Sequence, residues 1–101
     1  MKMEEEPVRV RLPRRGELLG VVEQLLGNVK FRVRCSDGKI RICRVPGKLR
    51  RKLWIRPGNI VLVKPWDVQS DERGDVLFRY NPTHVSWLKK RGFLRAFETE
   101  L

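Results

Sequence analysis

Residues 29–35 do most to limit what this chain can fold into. Val29, Phe31, Val33 and Cys35 alternate with Lys30, Arg32 and Arg34. That period of two gives a strand one apolar and one basic face, and it does not fit a helix. Asp37-Gly38 follows, a strong short-range hairpin signal, and Lys39, Ile40, Arg41 and Ile42 then alternate again. A two-residue Asp37-Gly38 loop pairs Ser36 with Lys39, Cys35 with Ile40, Arg34 with Arg41 and Val33 with Ile42, so like meets like on both faces. A three-residue loop pairs Arg34 with Ile40 and puts the faces out of phase. The two-residue turn is therefore expected, with Arg34 beside Arg41 on the basic face. Like charges facing each other across strands are unfavourable, and a bound polyanion would complete such a face. The alternation slips after Ile42, so a bulge or strand end is expected near Cys43.

The remaining segments read as further short strands. Glu17–Leu26, bracketed by Gly16 and Gly27 and interrupted by Gly20, predicts a long bent strand, and Gly27-Asn28 predicts a turn. Pro46-Gly47 ends the third strand. In Lys48–Ile55, Leu49 and Leu53 are four apart, which suits one helical turn with Arg50, Arg51 and Lys52 outward. After the Pro57-Gly58 turn, Ile60–Val63 is a continuous apolar run fitting a central strand, ended by Pro65. Gln69–Gly74 is turn-like, and Asp75–Tyr80 predicts a fifth strand. Asn81-Pro82 opens a helix over about 82–91, with Asn81 as cap, Val85 and Leu88 toward the core and Gly92 as the stop. Five strands and one helix predict an all-β chain, a five-stranded OB-type barrel with a short C-terminal helix. The strand two–three face of that fold binds oligonucleotides. The expected organisation is a flexible arm over 1–15, the barrel and helix over 16–92, and a tail over 93–101. The tail's Phe93, Leu94, Phe97 and Leu101 would dock somewhere on the domain.

Charge points the same way. The 101 residues hold 23 Lys and Arg against 12 Asp and Glu, a net +11. Between Lys30 and Arg56 stand eleven basic residues and one acid, Asp37, a local net of +10. A second cluster is Arg9, Arg11, Arg14 and Arg15. Such concentration implies a polyanionic partner, nucleic acid first, rather than an evenly solvated surface. No run of 18 apolar residues exists, so no transmembrane helix and no membrane partner are expected. The start of the chain lacks the apolar core of a secretion signal, and two cysteines suit a reducing cytoplasm. A monomer is expected.

Catalytic signals are weak. The one histidine, His84, reads as a surface or capping residue. No Cys-x-x-Cys or His-Cys cluster suggests zinc, and no glycine-rich phosphate loop precedes a helix. Cys35 and Cys43 fall about 10 Å apart along neighbouring strands in the expected register, too far to bridge. They read as free thiols, with Cys35 in the core. Asp67, Asp71, Glu72 and Asp75 read as a solvated turn. No catalytic residue, metal or cofactor is expected. Trp66 and Trp87 read as packing residues; Trp54 either stacks on a base or anchors its loop. The basic face itself lacks aromatics, which favours recognition of phosphates and shape in folded RNA.

Leu26-Gly27-Asn28, Arg34-Cys35 with Asp37-Gly38, Gly47–Ile55 (Gly-Lys-Leu-Arg-Arg-Lys-Leu-Trp-Ile) and Tyr80-Asn81 together resemble the translation initiation factor 1A family. Pro13–Glu17 and Gly20–Gly27 resemble its archaeal branch. The resemblance spans about residues 12–92, and the Gly47–Ile55 motif is its most specific part. It implies an OB barrel without catalytic activity. Such a barrel binds small-subunit ribosomal RNA near the A site and decoding region and aids initiator tRNA binding and start-codon selection. Implied partners are other initiation factors, a GTPase among them. The expected RNA-binding residues are Lys30, Arg32, Arg34, Lys39, Arg41, Arg44, Lys48, Arg50, Arg51, Lys52, Trp54 and Arg56. A general single-stranded RNA-binding or RNA-chaperone barrel is the alternative, and an RNA-cleaving enzyme using the 67–75 acids is a third reading.

Overall fold

The computed structural model describes residues 9–27, 29–50 and 53–98. Asn28, Arg51, Lys52 and Leu101, on which some expectations rest, lie outside the described residues. Five strands, β1 (Leu18–Leu25), β2 (Lys30–Cys35), β3 (Ile40–Arg44), β4 (Ile60–Pro65) and β5 (Arg73–Arg79), close into a barrel in the order β1-β2-β3-β5-β4. The β3–β5 pair is parallel and the other pairs are antiparallel. A 3₁₀ turn (Gly47–Leu49) follows β3, and helices α1 (Pro82–Lys90) and α2 (Arg95–Glu98) follow β5. This is the five-stranded OB-type barrel with a short C-terminal helix that the strand count predicts.

Two apolar clusters hold it together. Inside the barrel, Val22, Phe31, Val33, Cys35, Cys43, Val45, Val61, Val63 and Val76 pack against one another. Outside it, Leu19, Ile60, Leu62 and Tyr80 pack under Leu88 of α1 and Leu94. The run Ile60–Val63 is thus apolar throughout because β4 is covered on both faces, Val61 and Val63 by the barrel and Ile60 and Leu62 by the helical layer. Gly20 lets β1 and β2 close tightly, since a Cβ there would sit 2.5 Å from Val33 Cγ1. The bend expected in β1 comes from a register shift between Val22 and Gln24, which leaves Glu23 unpaired in the ladder.

The C-terminal cap forms as the residues dictate. Asn81 Oδ1 accepts from the His84 N–H at 2.8 Å, and His84 Nδ1 accepts from the Asn81 N–H at 3.4 Å. His84 is therefore the capping residue expected. At the other end the Gly92 N–H donates to the Lys89 carbonyl and the Phe93 N–H to the Leu88 carbonyl, a Schellman ending with Gly92 at φ +84°. Leu94 is then buried and Phe97 packs on the same cluster. Residues before β1 are anchored too: Val10 packs against this cluster, and the buried Tyr80 hydroxyl donates to the Arg11 carbonyl. Burial pushes the Tyr80 phenol up to about 12.

The hairpin register differs from expectation. β2 pairs with β3 as Lys30↔Arg44, Phe31↔Cys43, Arg32↔Ile42, Val33↔Arg41 and Arg34↔Ile40. The loop is therefore the three-residue one, Ser36-Asp37-Gly38, closed by Gly38 N–H to the Cys35 carbonyl and Cys35 N–H to the Lys39 carbonyl, both 2.9 Å. Gly38 at φ +86° takes the left-handed position that such a loop requires. Of the bulge or strand end expected near Cys43, the strand end occurs: the ladder runs evenly from Ile40 to Arg44, where β3 stops, with no bulge. The phase shift sends Arg41, Cys43 and Val45 inward and leaves Ile40 half exposed on the outside with Ile42 and Arg44. Cys43 and Val45 gain burial, and the inward arginine is satisfied by the Asp37 carboxylate and the Ser70 carbonyl. Both cysteines are free and Cys35 lies in the core, as expected; Cys43 is buried as well, opposite Phe31 in the observed register.

Candidate nucleic-acid interface

Arg41, expected on the basic face, is instead a buried tie with 3% exposure. Its Nη1 and Nη2 donate to Asp37 Oδ1 and Oδ2 at 3.1 and 3.0 Å, and its Nε donates to the Ser70 carbonyl at 2.6 Å. Arg34 therefore does not face Arg41; it faces Ile40. Burial alone would raise the Asp37 carboxyl, but the hydrogen bonds from Arg41 and from the Lys39 N–H outweigh it and hold that carboxyl below its ordinary value. Lys39 Nζ meets Asp71 Oδ1 at 3.1 Å, and the Ile42 N–H donates to the Glu72 carbonyl. The hairpin turn is thus clasped to the loop between β4 and β5 through the Asp71 carboxylate and the Glu72 and Ser70 carbonyls. Among the described residues, no group of three or more His, Cys, Asp or Glu side chains could hold a metal ion.

The outer face of β2–β3 carries Lys30, Arg32, Arg34, Ile40, Ile42 and Arg44. Arg32 Nη1 donates to Gln24 Oε1 at 3.0 Å, and Arg34 Nε pairs with Glu23 Oε2 at 3.1 Å. The guanidinium of Arg34 also lies 5.5 Å from the centre of the Phe97 ring. Lys30 faces Arg44 directly across the ladder. This face, rather than the expected Arg34–Arg41 pairing, brings two cations together.

Beside it lies the segment following the 3₁₀ turn. Leu49 and Leu53 pack on the barrel core, and the Leu53 N–H donates to the Leu49 carbonyl at 3.1 Å. Lys48 and Arg56 are exposed, and Arg50 Nε donates to the Val45 carbonyl at 3.0 Å. Trp54 is 70% exposed, so it does not anchor the loop in the core. Arg56 lies 5.9 Å from its ring centre. A groove of about 530 Å³ runs along this side, with Leu25, Phe31, Val45 and Leu53 as its floor and Arg50, Trp54 and Arg56 among its walls. Cations flanking an apolar groove with an exposed aromatic suit phosphates with bases between them.

Sequence reasoning missed Trp66 as a surface group. It is half-buried, its Nε1 donates to Asp75 Oδ1 at 2.9 Å, and the Arg44 guanidinium lies 4.9 Å from its ring centre. The signal would have been the phase of β3: once Arg44 points outward, Trp66 at the end of β4 falls beside it. Trp87 packs as expected, stacked on Phe93 at 6.0 Å. No helix among the described residues is long and apolar enough to cross a membrane.

The family model for translation initiation factor 1A / IF-1 matches residues 8–100. Translation initiation factor 1A of Methanothermobacter thermautotrophicus is 53% identical over 90% of this chain and 92% of that protein. The Pyrococcus abyssi factor of the same name is 58% identical over 87% and 78%. Among solved structures, a translation initiation factor from the Wolbachia endosymbiont of Brugia malayi aligns at a TM-score of 0.51 and 36% identity. That alignment covers 66% of this chain and 79% of that one. YjeQ from Thermotoga maritima aligns at 0.53 with 22% identity over 64% and 23%, a likeness of fold alone.

Proposed function

The chain belongs to the translation initiation factor 1A / IF-1 family, and from that premise we propose that it acts in the cytoplasm on small-subunit ribosomal RNA near the A site and decoding region. There it aids initiator tRNA binding and start-codon selection, alongside other initiation factors that include a GTPase. The family is not enzymatic, so the task is binding and positioning. The observation that carries the reading is the exposure of Lys48, Arg50 and Arg56 around Trp54, which projects into solvent beside an apolar groove. In this reading Lys48, Arg50, Arg51, Lys52 and Arg56 take phosphates, Trp54 meets a base or ribose edge, and Lys30, Arg32, Arg34, Lys39 and Arg44 extend the contact over the barrel. Arg41 is left out because its guanidinium is already satisfied inside the fold.

Binding should be strongly salt-dependent, because each phosphate contact releases condensed counterions. With about six contacts, log K against log salt falls with a slope of roughly −4 to −5. Co-sedimentation with purified small and large subunits across a salt series tests this. A slope near zero, or no preference for the small subunit, refutes the reading.

A further inference from the structure

Where β3, β4 and β5 meet, Arg44 and Trp66 wall two adjoining clefts separate from the groove beside Trp54. The smaller, of about 180 Å³, is also lined by Lys30 and Arg73 and is cationic; the larger, of about 340 Å³, is also lined by Lys64, Asp67 and Asp75 and is mixed in charge. The bond from the indole N–H to Asp75 fixes the ring by its edge, and its face is met by the Arg44 guanidinium. Arg44 is the movable half of this pair. Its side chain is 54% exposed, and its contact with Asp75 is a long 3.6 Å. Lys30 faces it across the ladder, a like-charge pairing that is unfavourable in isolation. Arg73 lies on the neighbouring strand, opposite Ile42. Neither Lys30, Lys64 nor Arg73 forms an ion pair among the described residues.

We infer that this is a single-stranded RNA subsite, in which one base stacks on Trp66 in place of the Arg44 guanidinium and Lys30, Arg44 and Arg73 hold the flanking phosphates. A fixed aromatic face beside unpaired cations is the arrangement that binds unpaired nucleotides. A base within a duplex offers no free face to it. Lys30, Arg44 and Arg73 around the smaller cleft, with no acid among its lining residues, argue for RNA over an apolar protein segment. The subsite rests on the chain being an RNA binder but does not depend on where in the ribosome it binds.

The test uses the full chain with Trp54→Phe and Trp87→Phe, which leaves Trp66 as the sole tryptophan. Titration with hexa-adenylate should quench Trp66 saturably. Lys30→Gln with Arg73→Gln should weaken that binding at least fivefold, while adenosine monophosphate should need far higher concentration. Hexa-adenylate binding seen by anisotropy without quenching overturns the subsite, as does equal binding of the mononucleotide. In the otherwise natural chain, Trp66→Leu should lower small-subunit affinity about tenfold, and Trp66→Phe, which keeps a ring, much less. If Trp66 is not quenched and Trp66→Leu binds subunits normally, the subsite falls and the proposed function stands. Quenching in a chain that does not bind subunits supports the subsite and refutes the proposed function.

Discussion

Asp37→Asn separates the observed hairpin register from the one that the alternation suggests. The substitution keeps the shape of the side chain and removes the charge that faces a guanidinium with 3% exposure. Breaking a fully buried pair by removing one partner costs about 3–5 kcal/mol, whereas an exposed pair is worth about 0–1 kcal/mol. Asp37 keeps 31% of its side chain in solvent, and the Ser70 carbonyl still accepts from Arg41, so the loss should be intermediate, about 2 kcal/mol. For a domain of this size that lowers Tm by roughly 10 °C. The pH dependence fixes the cause. The Asp37 carboxyl is held below its ordinary 3.8 in the folded chain, so its stabilisation is fully present above the unfolded value and is lost as pH falls through the folded one. Thermal melts of the natural chain and Asp37→Asn should differ at neutral pH and converge in acid. Arg41→Met should destabilise comparably and leave salt-dependent RNA binding intact. A loss under about 0.5 kcal/mol, a difference that persists in acid, or an Arg41→Met chain that is stable but binds RNA weakly would each refute the reasoning.

Arg50→Asp with Arg51→Asp should fold, at a cost of up to about 1 kcal/mol for the lost Arg50 bond to the Val45 carbonyl, and should cut small-subunit affinity at least tenfold in a sedimentation assay. Gly20→Ala should destabilise by about 1–3 kcal/mol in denaturant melts, because the added methyl meets Val33 inside a closed barrel. Tyr80→Phe should cost about 1 kcal/mol and shift the amide resonances of residues 10–12, whose carbonyl at Arg11 loses its donor. Cys35 and Cys43 should resist alkylation until the barrel unfolds: both thiols are buried, and burial pushes Cys43 up to about 12.

Much of the fold was legible because its signals are local. The alternation of β2, the Asn81-Pro82 cap with its Gly92 stop and the apolar run of β4 each need only a few neighbouring residues to be read. The motif over 47–55 and the crowding of cations into one stretch were equally visible, and they located the candidate interface. What those local signals left undecided was phase. Residues 39–44 offer two inward sets, Ile40 with Ile42 or Arg41 with Cys43, and hydrophobicity alone favours the isoleucines. The choice turns on partners that short-range pattern does not show. Gly38 closes a three-residue loop, and Ser70, 29 positions away, accepts from the inward arginine. A charge can face into a barrel once its hydrogen bonds are met there, and the barrel's closure is what brings those acceptors to it. The same phase turns Arg44 outward onto Trp66. By itself the sequence determined the elements and the sign of the surface they build. The tertiary structure decided which arginine turns inward to lock the hairpin and which stand on the outer face of the barrel, because only closure brings the inward one its acceptors.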